Sequence, residues 1–231
     1  MGKDVIIACD FANKEQTMQF LKLLGPVKPF LKIGMELFYA AGGQFVKELK
    51  EYGYNVFLDL KLHDIPNTVK KTMSVLSGLG ADMINVHAAG TTAMMEAALD
   101  GLGGKGARPL VVAVTQLTSI NQERMREELL IAETMEKTVL HYAENTRRSG
   151  LDGVVCSPNE AESIHAVCGK DFLTVAPGIR FASSEADDQA RYATPEQAKR
   201  LGSDYIVVGR PITHASDPAA MYRRCLEEFI G

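Results

Sequence analysis

No apolar run in the chain approaches the ~18 residues that would cross a bilayer. No cleavable leader is visible either, because Met1-Gly2-Lys3-Asp4 runs straight into an apolar strand. The expectation is a cytoplasmic protein. Positive charge is in short supply: 25 Lys and Arg stand against 29 Asp and Glu, a formal charge of −4. That balance offers nothing to a nucleic acid or an anionic membrane, so an anionic ligand would need local basic groups to hold it. The cysteines are few and scattered. Cys9, Cys156, Cys168 and Cys225 form no CxxC pair, which argues against zinc ligation or a disulfide framework and for buried reduced thiols. No GxGxxG follows the first apolar run, which sets aside the commonest dinucleotide-binding form of an open α/β sheet. Linkers, low-complexity tracts and composition breaks are also missing, so residues 1–231 read as one domain.

What is present is an alternation. Short apolar runs at 5–10, 30–34, 56–62, 83–87, 110–117, 153–157, 173–177 and 205–209 read as strands. Amphipathic helical patterns at 14–24, 36–52, 69–79, 92–102, 132–149, 159–167 and 195–201 lie between them, and a last one at 218–229 closes the chain. Strand and helix in alternation imply parallel strands joined by right-handed crossovers. Eight repeats in 231 residues, slightly under the roughly 250 of a typical example, favour a (β/α)8 TIM barrel. Two connections are longer than a crossover needs. Residues 119–131 look partly helical, and 180–194 are polar, as a lid or binding loop would be.

Charges interrupt the strands where an apolar core is expected. In Val56-Phe57-Leu58-Asp59-Leu60-Lys61-Leu62-His63-Asp64, alternation puts Val56, Leu58, Leu60 and Leu62 on one face and Asp59 and Lys61 on the other. The second face points into a barrel, near the strand's C-terminal end, where barrel enzymes place their chemistry. Asp64 lies past the strand. Asp10 ends the first strand, and Lys32 interrupts Phe30-Leu31-Lys32-Ile33-Gly34. Burying a charge is costly unless it is paired. A structural ion pair would explain any one of these residues; two carboxylates and two ammonium groups at matching strand ends point to an active site. A lysine held among carboxylates stays protonated and can deliver a proton to a carbanion.

The seventh and eighth strands end in Pro177-Gly178-Ile179-Arg180 and Gly209-Arg210. Loops after those strands form the phosphate site of many such barrels. Glycine admits backbone N–H groups close to phosphate oxygens, and arginine binds them bidentately. Thr118-Ser119 suits either a heterocycle edge or a turn cap. His87 ends the fourth strand and reads as a hydrogen-bonded histidine behind the site rather than in it, whereas His141, His165 and His214 read as ordinary helix or loop residues.

The stretch Asp59-Leu60-Lys61-Leu62-His63-Asp64-Ile65-Pro66-Asn67-Thr68 closely resembles the signature of the orotidine 5′-phosphate decarboxylases in their short bacterial form. The likeness extends from Ala8-Cys9-Asp10 to Val208-Gly209-Arg210-Pro211-Ile212. It implies decarboxylation of orotidine 5′-phosphate to UMP and CO2, the last step of de novo pyrimidine nucleotide synthesis, without metal or other cofactor. By resemblance, Asp10 contacts the ribose, and Lys32 bridges the sugar and the catalytic carboxylate. Asp59 faces the departing carboxylate, while Lys61 protonates C6. Thr118 meets the base, and Arg180, Gln189, Gly209 and Arg210 hold the phosphate and its closing loop. The resemblance also implies a homodimer in which Asp64 and Thr68 reach the neighbouring subunit's site. Ala176 stands where the family commonly has threonine, which leaves these contacts intact.

The related 3-keto-L-gulonate 6-phosphate decarboxylases share the DxKxxD core but use Mg²⁺, with an acid at the position of Lys32. Lysine there disfavours that reading. A ribulose-phosphate epimerase would need metal-binding histidines at strand ends, and His63 and His87 do not make that set. A phosphate-sensing barrel would explain Arg180 and Arg210 but not the convergence of Asp59, Lys61 and Lys32.

Overall fold

The computed structural model describes residues 3–103, 108–181 and 192–231. Eight parallel strands, β1 (Asp4–Ala8), β2 (Phe30–Gly34), β3 (Asn55–Leu62), β4 (Met83–His87), β5 (Leu110–Val114), β6 (Gly153–Val155), β7 (Leu173–Ala176) and β8 (Tyr205–Val208), follow one another around a closed barrel. The pairing of β1 with β8, Ile6 opposite Val207, closes it. Outside lie α1 (Lys14–Leu23), α2 (Met35–Glu51), α3 (Pro66–Ser77), α4 (Thr91–Gly101), α5 (Gln122–Glu127), α6 (Met135–Arg148), α7 (Ala161–Cys168), α8 (Pro195–Arg200), α9 (Arg210–Thr213) and α10 (Pro218–Phe229). The fold is the expected (β/α)8 barrel.

Strand alternation divides the core in two. Ile6, Ala8, Phe30, Phe57, Met83, Val112, Val175 and Val207 pack together inside the barrel. Val5, Ile7, Leu31, Ile33, Val56 and Leu58 belong to the larger cluster between sheet and helices. Polar starts fix the helices. The Asn13 side chain accepts from Gln16 N–H ahead of α1, and Thr134 caps α6 in the same way. Thr194 and Gln197 form a reciprocal capping box on α8. Gly42, at φ 74°, kinks α2 in a left-handed conformation that a side chain would resist.

Five strands stop short of the ends expected from hydropathy: β1 at Ala8, β5 at Val114, β6 at Val155, β7 at Ala176 and β8 at Val208. Thr115 and Gln116 show why, being buried at 2% and 7% exposure though they lie past the strand. Thr115 still donates its N–H to Val155 O of β6 at 3.1 Å; at the barrel mouth residues past the strand are buried as fully as those within it, and hydropathy does not separate the two conditions. The 119–131 connection does contain a short helix, α5. Helix α3 begins at Pro66 rather than 69, since proline suits the first turn, where no N–H partner is needed. All four cysteines are buried, and burial pushes the Cys9 thiol up to about 12. Among the described residues no helix is long and apolar enough to cross a membrane.

Candidate active site

Register brings the charged residues together. Ala8 lies opposite Lys32 on β2, and Gly34 lies opposite Asp59 on β3. The inward-pointing Lys32 ammonium is 2.8 Å from Asp10 Oδ1 and 3.4 Å from Asp59 Oδ2. Lys61 Nζ is 2.6 Å from Asp59 Oδ1. The chain Asp10–Lys32–Asp59–Lys61 thus alternates in sign. Gly34 permits the first link, because a Cβ there would press to 3.3 Å against both Asp10 Oδ1 and Lys32 Nζ.

Lys32 and Asp59, the two more buried members, keep their charges. Burial works against the Lys32 ammonium, but Asp59 and Asp10 outweigh it and raise the pKa. Burial likewise works against the Asp59 carboxylate, and Lys32, Lys61 and a hydrogen bond from Asn85 overcome it, so its pKa is lowered. The two cations and two carboxylates compensate one another in a place where an unpaired charge would be costly.

Alternation puts Lys61 on the inner face with Phe57 and Asp59, while Leu58, Leu60 and Leu62 pack outward, but the ladder there is irregular. Opposite β4 the register slips: Leu58 faces Ile84, but Leu62 faces Val86, four residues of advance on β3 against two on β4. Within this bulge Lys61 takes φ 49°, in the left-handed region, a conformation that costs a non-glycine residue roughly 1–3 kcal/mol. Asn85, fully buried on β4, spans the irregularity. Its Oδ1 accepts from the Lys61 backbone N–H at 2.7 Å, and its Nδ2 donates to Asp59 Oδ1 at 2.6 Å.

Beside the network lies a cavity of about 320 Å³, bounded by Lys32, Asp59 and Lys61 on one side and by Gln116, Thr118 and Ser119 on another. That volume is in the range of small-molecule sites. Among the described residues no group of three or more His, Cys, Asp and Glu could hold a metal ion.

Residues 3–225 match the family model described as orotidine 5′-phosphate decarboxylase / HUMPS family. The chain belongs to that family. An orotidine 5′-phosphate decarboxylase of a Geobacillus species is 52% identical over 235 residues, covering 100% of this chain and 98% of its own. The Bacillus cytotoxicus protein of the same name is 51% identical over 236 residues, covering 100% and 99%. Among solved structures, orotidine 5′-phosphate decarboxylase from Lactobacillus acidophilus superposes with a TM-score of 0.89 at 45% identity, covering 99% of this chain and 100% of that one.

Within this decarboxylase-family barrel, the residues singled out in the sequence fall into three groups. Asp10, Lys32, Asp59 and Lys61 form the network, and Thr118 lines the cavity beside it. Asp10 stands at the rim with its side chain 61% exposed, two residues beyond β1 rather than within it. Among the residues expected to hold a phosphate, a Cβ on Gly209 would stand 3.9 Å from Asp10 Oδ2, which places the end of β8 beside the network. Arg180 donates to the Ile179 carbonyl at 2.8 Å, and Arg210 opens α9 on the surface. Neither arginine lines the cavity. An isolated bridge between Ile179 and Ala193 pins the base of the long loop after β7, and Gln189 lies outside the described residues. Asp64 and Thr68 form the third group, exposed and not among the residues that line the cavity.

Asn85 and Gln116 escaped the sequence reading. A signal existed for the first: in Met83-Ile84-Asn85-Val86-His87 an uncharged polar residue interrupts an apolar strand, on the face that carries Met83 into the barrel interior. Gln116 gave the same signal within the apolar run 110–117, on the face of the interior Val112, although β5 itself ends at Val114.

Proposed function

We propose that this protein decarboxylates orotidine 5′-phosphate to UMP and CO2, with Lys61 as the proton donor to C6. The observation that carries the reading is the Asp10–Lys32–Asp59–Lys61 chain of contacts beside a cavity of about 320 Å³. The bond from C6 to the carboxyl carbon breaks, its electron pair stays on C6, and CO2 departs. Lys61 Nζ then gives a proton to C6 and is reprotonated from solvent after product leaves. Asp59, held ionised by its two lysines, faces the substrate carboxylate and repels it. That repulsion ends as CO2 leaves, while the fixed ammonium of Lys61 meets the charge developing on C6. Lys32 keeps Asp59 oriented and reaches the ribose together with Asp10. Thr118 meets the base, and Gly209, Arg210, Arg180 and Gln189 hold the phosphate.

The activity needs no metal in this reading. Lys32 puts a permanent cation between Asp10 and Asp59, where a divalent ion would otherwise bind two carboxylates. The protein acts as a homodimer, with Asp64 and Thr68 lent to the partner's site. The exposure of the whole segment from His63 to Thr68, Ile65 at 67% among them, supports this.

Purified protein, dialysed against EDTA, is expected to bleach the absorbance of orotidine 5′-phosphate and yield UMP. Turnover that vanishes on chelation and returns with Mg²⁺, or the absence of turnover altogether, would overturn the reading.

A further inference from the structure

We infer that Asn85 is a positioning residue for the proton donor. It holds the Lys61 backbone and the Asp59 carboxylate in one fixed relation, and turnover depends on that relation. The inference rests on the decarboxylase reading of this site.

A regular parallel ladder would pair β3 with β4 through backbone groups alone. The bulge between Leu58 and Leu62 interrupts that pairing, and the Lys61 N–H finds a side-chain oxygen in place of a β4 carbonyl, Asn85 Oδ1 at 2.7 Å. The other end of the same amide donates to Asp59 Oδ1 at 2.6 Å. Chemistry dictates the orientation of the amide: a backbone N–H only donates and an ionised carboxylate only accepts, so oxygen must face Lys61 and nitrogen must face Asp59. Asn85 is fully buried and has no route to other partners in solvent.

Three consequences follow from this one side chain. It satisfies the N–H that the bulge leaves without a ladder partner, so Lys61 can keep φ 49°. It occupies Asp59 Oδ1 jointly with Lys61 Nζ, which fixes the rotation of the carboxylate and turns Oδ2 toward Lys32 at 3.4 Å. It also delivers a hydrogen bond to the ionised form of Asp59, lowering that group's pKa together with the two lysines. Aspartate and leucine have nearly the size of asparagine, but leucine offers neither acceptor nor donor, and aspartate gains a donor only by taking up a proton.

The test compares the intact protein with Asn85→Ala and Asn85→Asp. Misplacement of a reacting group by about 1 Å can cost roughly 100-fold, so Asn85→Ala should lose about that factor in kcat while KM stays within about threefold. In the same variant, the Lys61 amide should exchange with deuterium faster than in the parent. Asn85→Asp retains the shape. When protonated, its carboxyl donates to Asp59 and accepts from Lys61 N–H; once ionised, it repels Asp59. Its kcat should therefore fall as pH rises through a range in which the parent is flat. A purely structural role predicts no such limb.

Folding of each variant is checked by its thermal transition, and the isosteric Asn85→Asp keeps the test alive if Asn85→Ala unfolds. With a parent that decarboxylates normally, an Asn85→Asp profile superimposable on the parent's would overturn the inference, as would an Asn85→Ala kcat within about twofold. A parent that leaves orotidine 5′-phosphate intact would sink the decarboxylase reading itself, and Lys61 amide exchange unchanged by Asn85→Ala would independently deny the geometric link.

Discussion

The charged ends of Lys61 and Asp59 meet at 2.6 Å although the two residues sit on one strand, two positions apart. A flat strand would carry their side chains outward side by side. Here the bulge opposite β4 and the left-handed Lys61 backbone bend the lysine back over the carboxylate, and both side chains line the same cavity. Asp59 is thereby shared between Lys61 on one oxygen and Lys32 on the other.

Removal of the donor should separate chemistry from binding. In Lys61→Ala, turnover is expected to fall by several decades, each tenfold corresponding to ~1.4 kcal/mol of lost transition-state stabilisation. UMP binding should change little, because the proposed phosphate grip lies after β7 and β8. Single-turnover kinetics with UMP titration checks both; near-parental turnover by the folded variant would remove Lys61 from the donor role.

Acid should weaken the fold through His87. Burial first, then the neighbouring His63 and Lys61, lower its pKa against a smaller opposing effect of Asp59, and the two imidazole rings lie 5.4 Å apart. A depressed folded pKa means the unfolded chain binds the proton more readily. The His87 contribution is therefore complete above the ordinary value near 6.5 and declines as pH falls from there toward the folded value. Asp59, also depressed, has its window lower, below about pH 4. Urea melts at pH 7.5 and 5.5 should show a smaller loss of stability in His87→Gln than in the parent; equal losses would contradict the assignment.

The phosphate grip is expected to distinguish nucleotide from nucleoside. Arg210→Ala and Gln189→Ala should weaken UMP more than uridine, by about tenfold or more for the arginine, since a lost charge-assisted hydrogen bond is worth ~1.5–3 kcal/mol. Calorimetric titration with both ligands decides it. Equal losses for the two would mean the phosphate sits elsewhere.

Shared sites should allow two dead proteins to revive each other. Lys61→Ala and Asp64→Ala, mixed and allowed to exchange subunits, form mixed dimers in which one site has both residues and the other has neither. Random exchange makes about half the dimers mixed, so roughly a quarter of all sites should recover. If Asp64 served its own chain no site could recover, and zero activity from verified mixed dimers would end the proposal.

Much of this was legible in the chain itself. Eight alternations of strand and helix specified a parallel barrel because hydrophobic period and connection length leave few other ways to bury both faces of the strands. Asp10, Lys32, Asp59 and Lys61 stood out because charge in an apolar strand needs a partner, and the strand ends supplied one for each. Tertiary structure alone decided the rest. The left-handed backbone of Lys61 comes from a bulge that belongs to the pairing of two strands, and no periodicity within β3 encodes the pairing partner's register. The role of Asn85 depends on the same slip, since an amide on β4 can meet an N–H and a carboxylate on β3 only when the ladder between them is out of step. Local sequence carries the period and the cost of burying charge; which atoms meet across a closed barrel is settled by long-range register, where residues distant in the chain share one mouth.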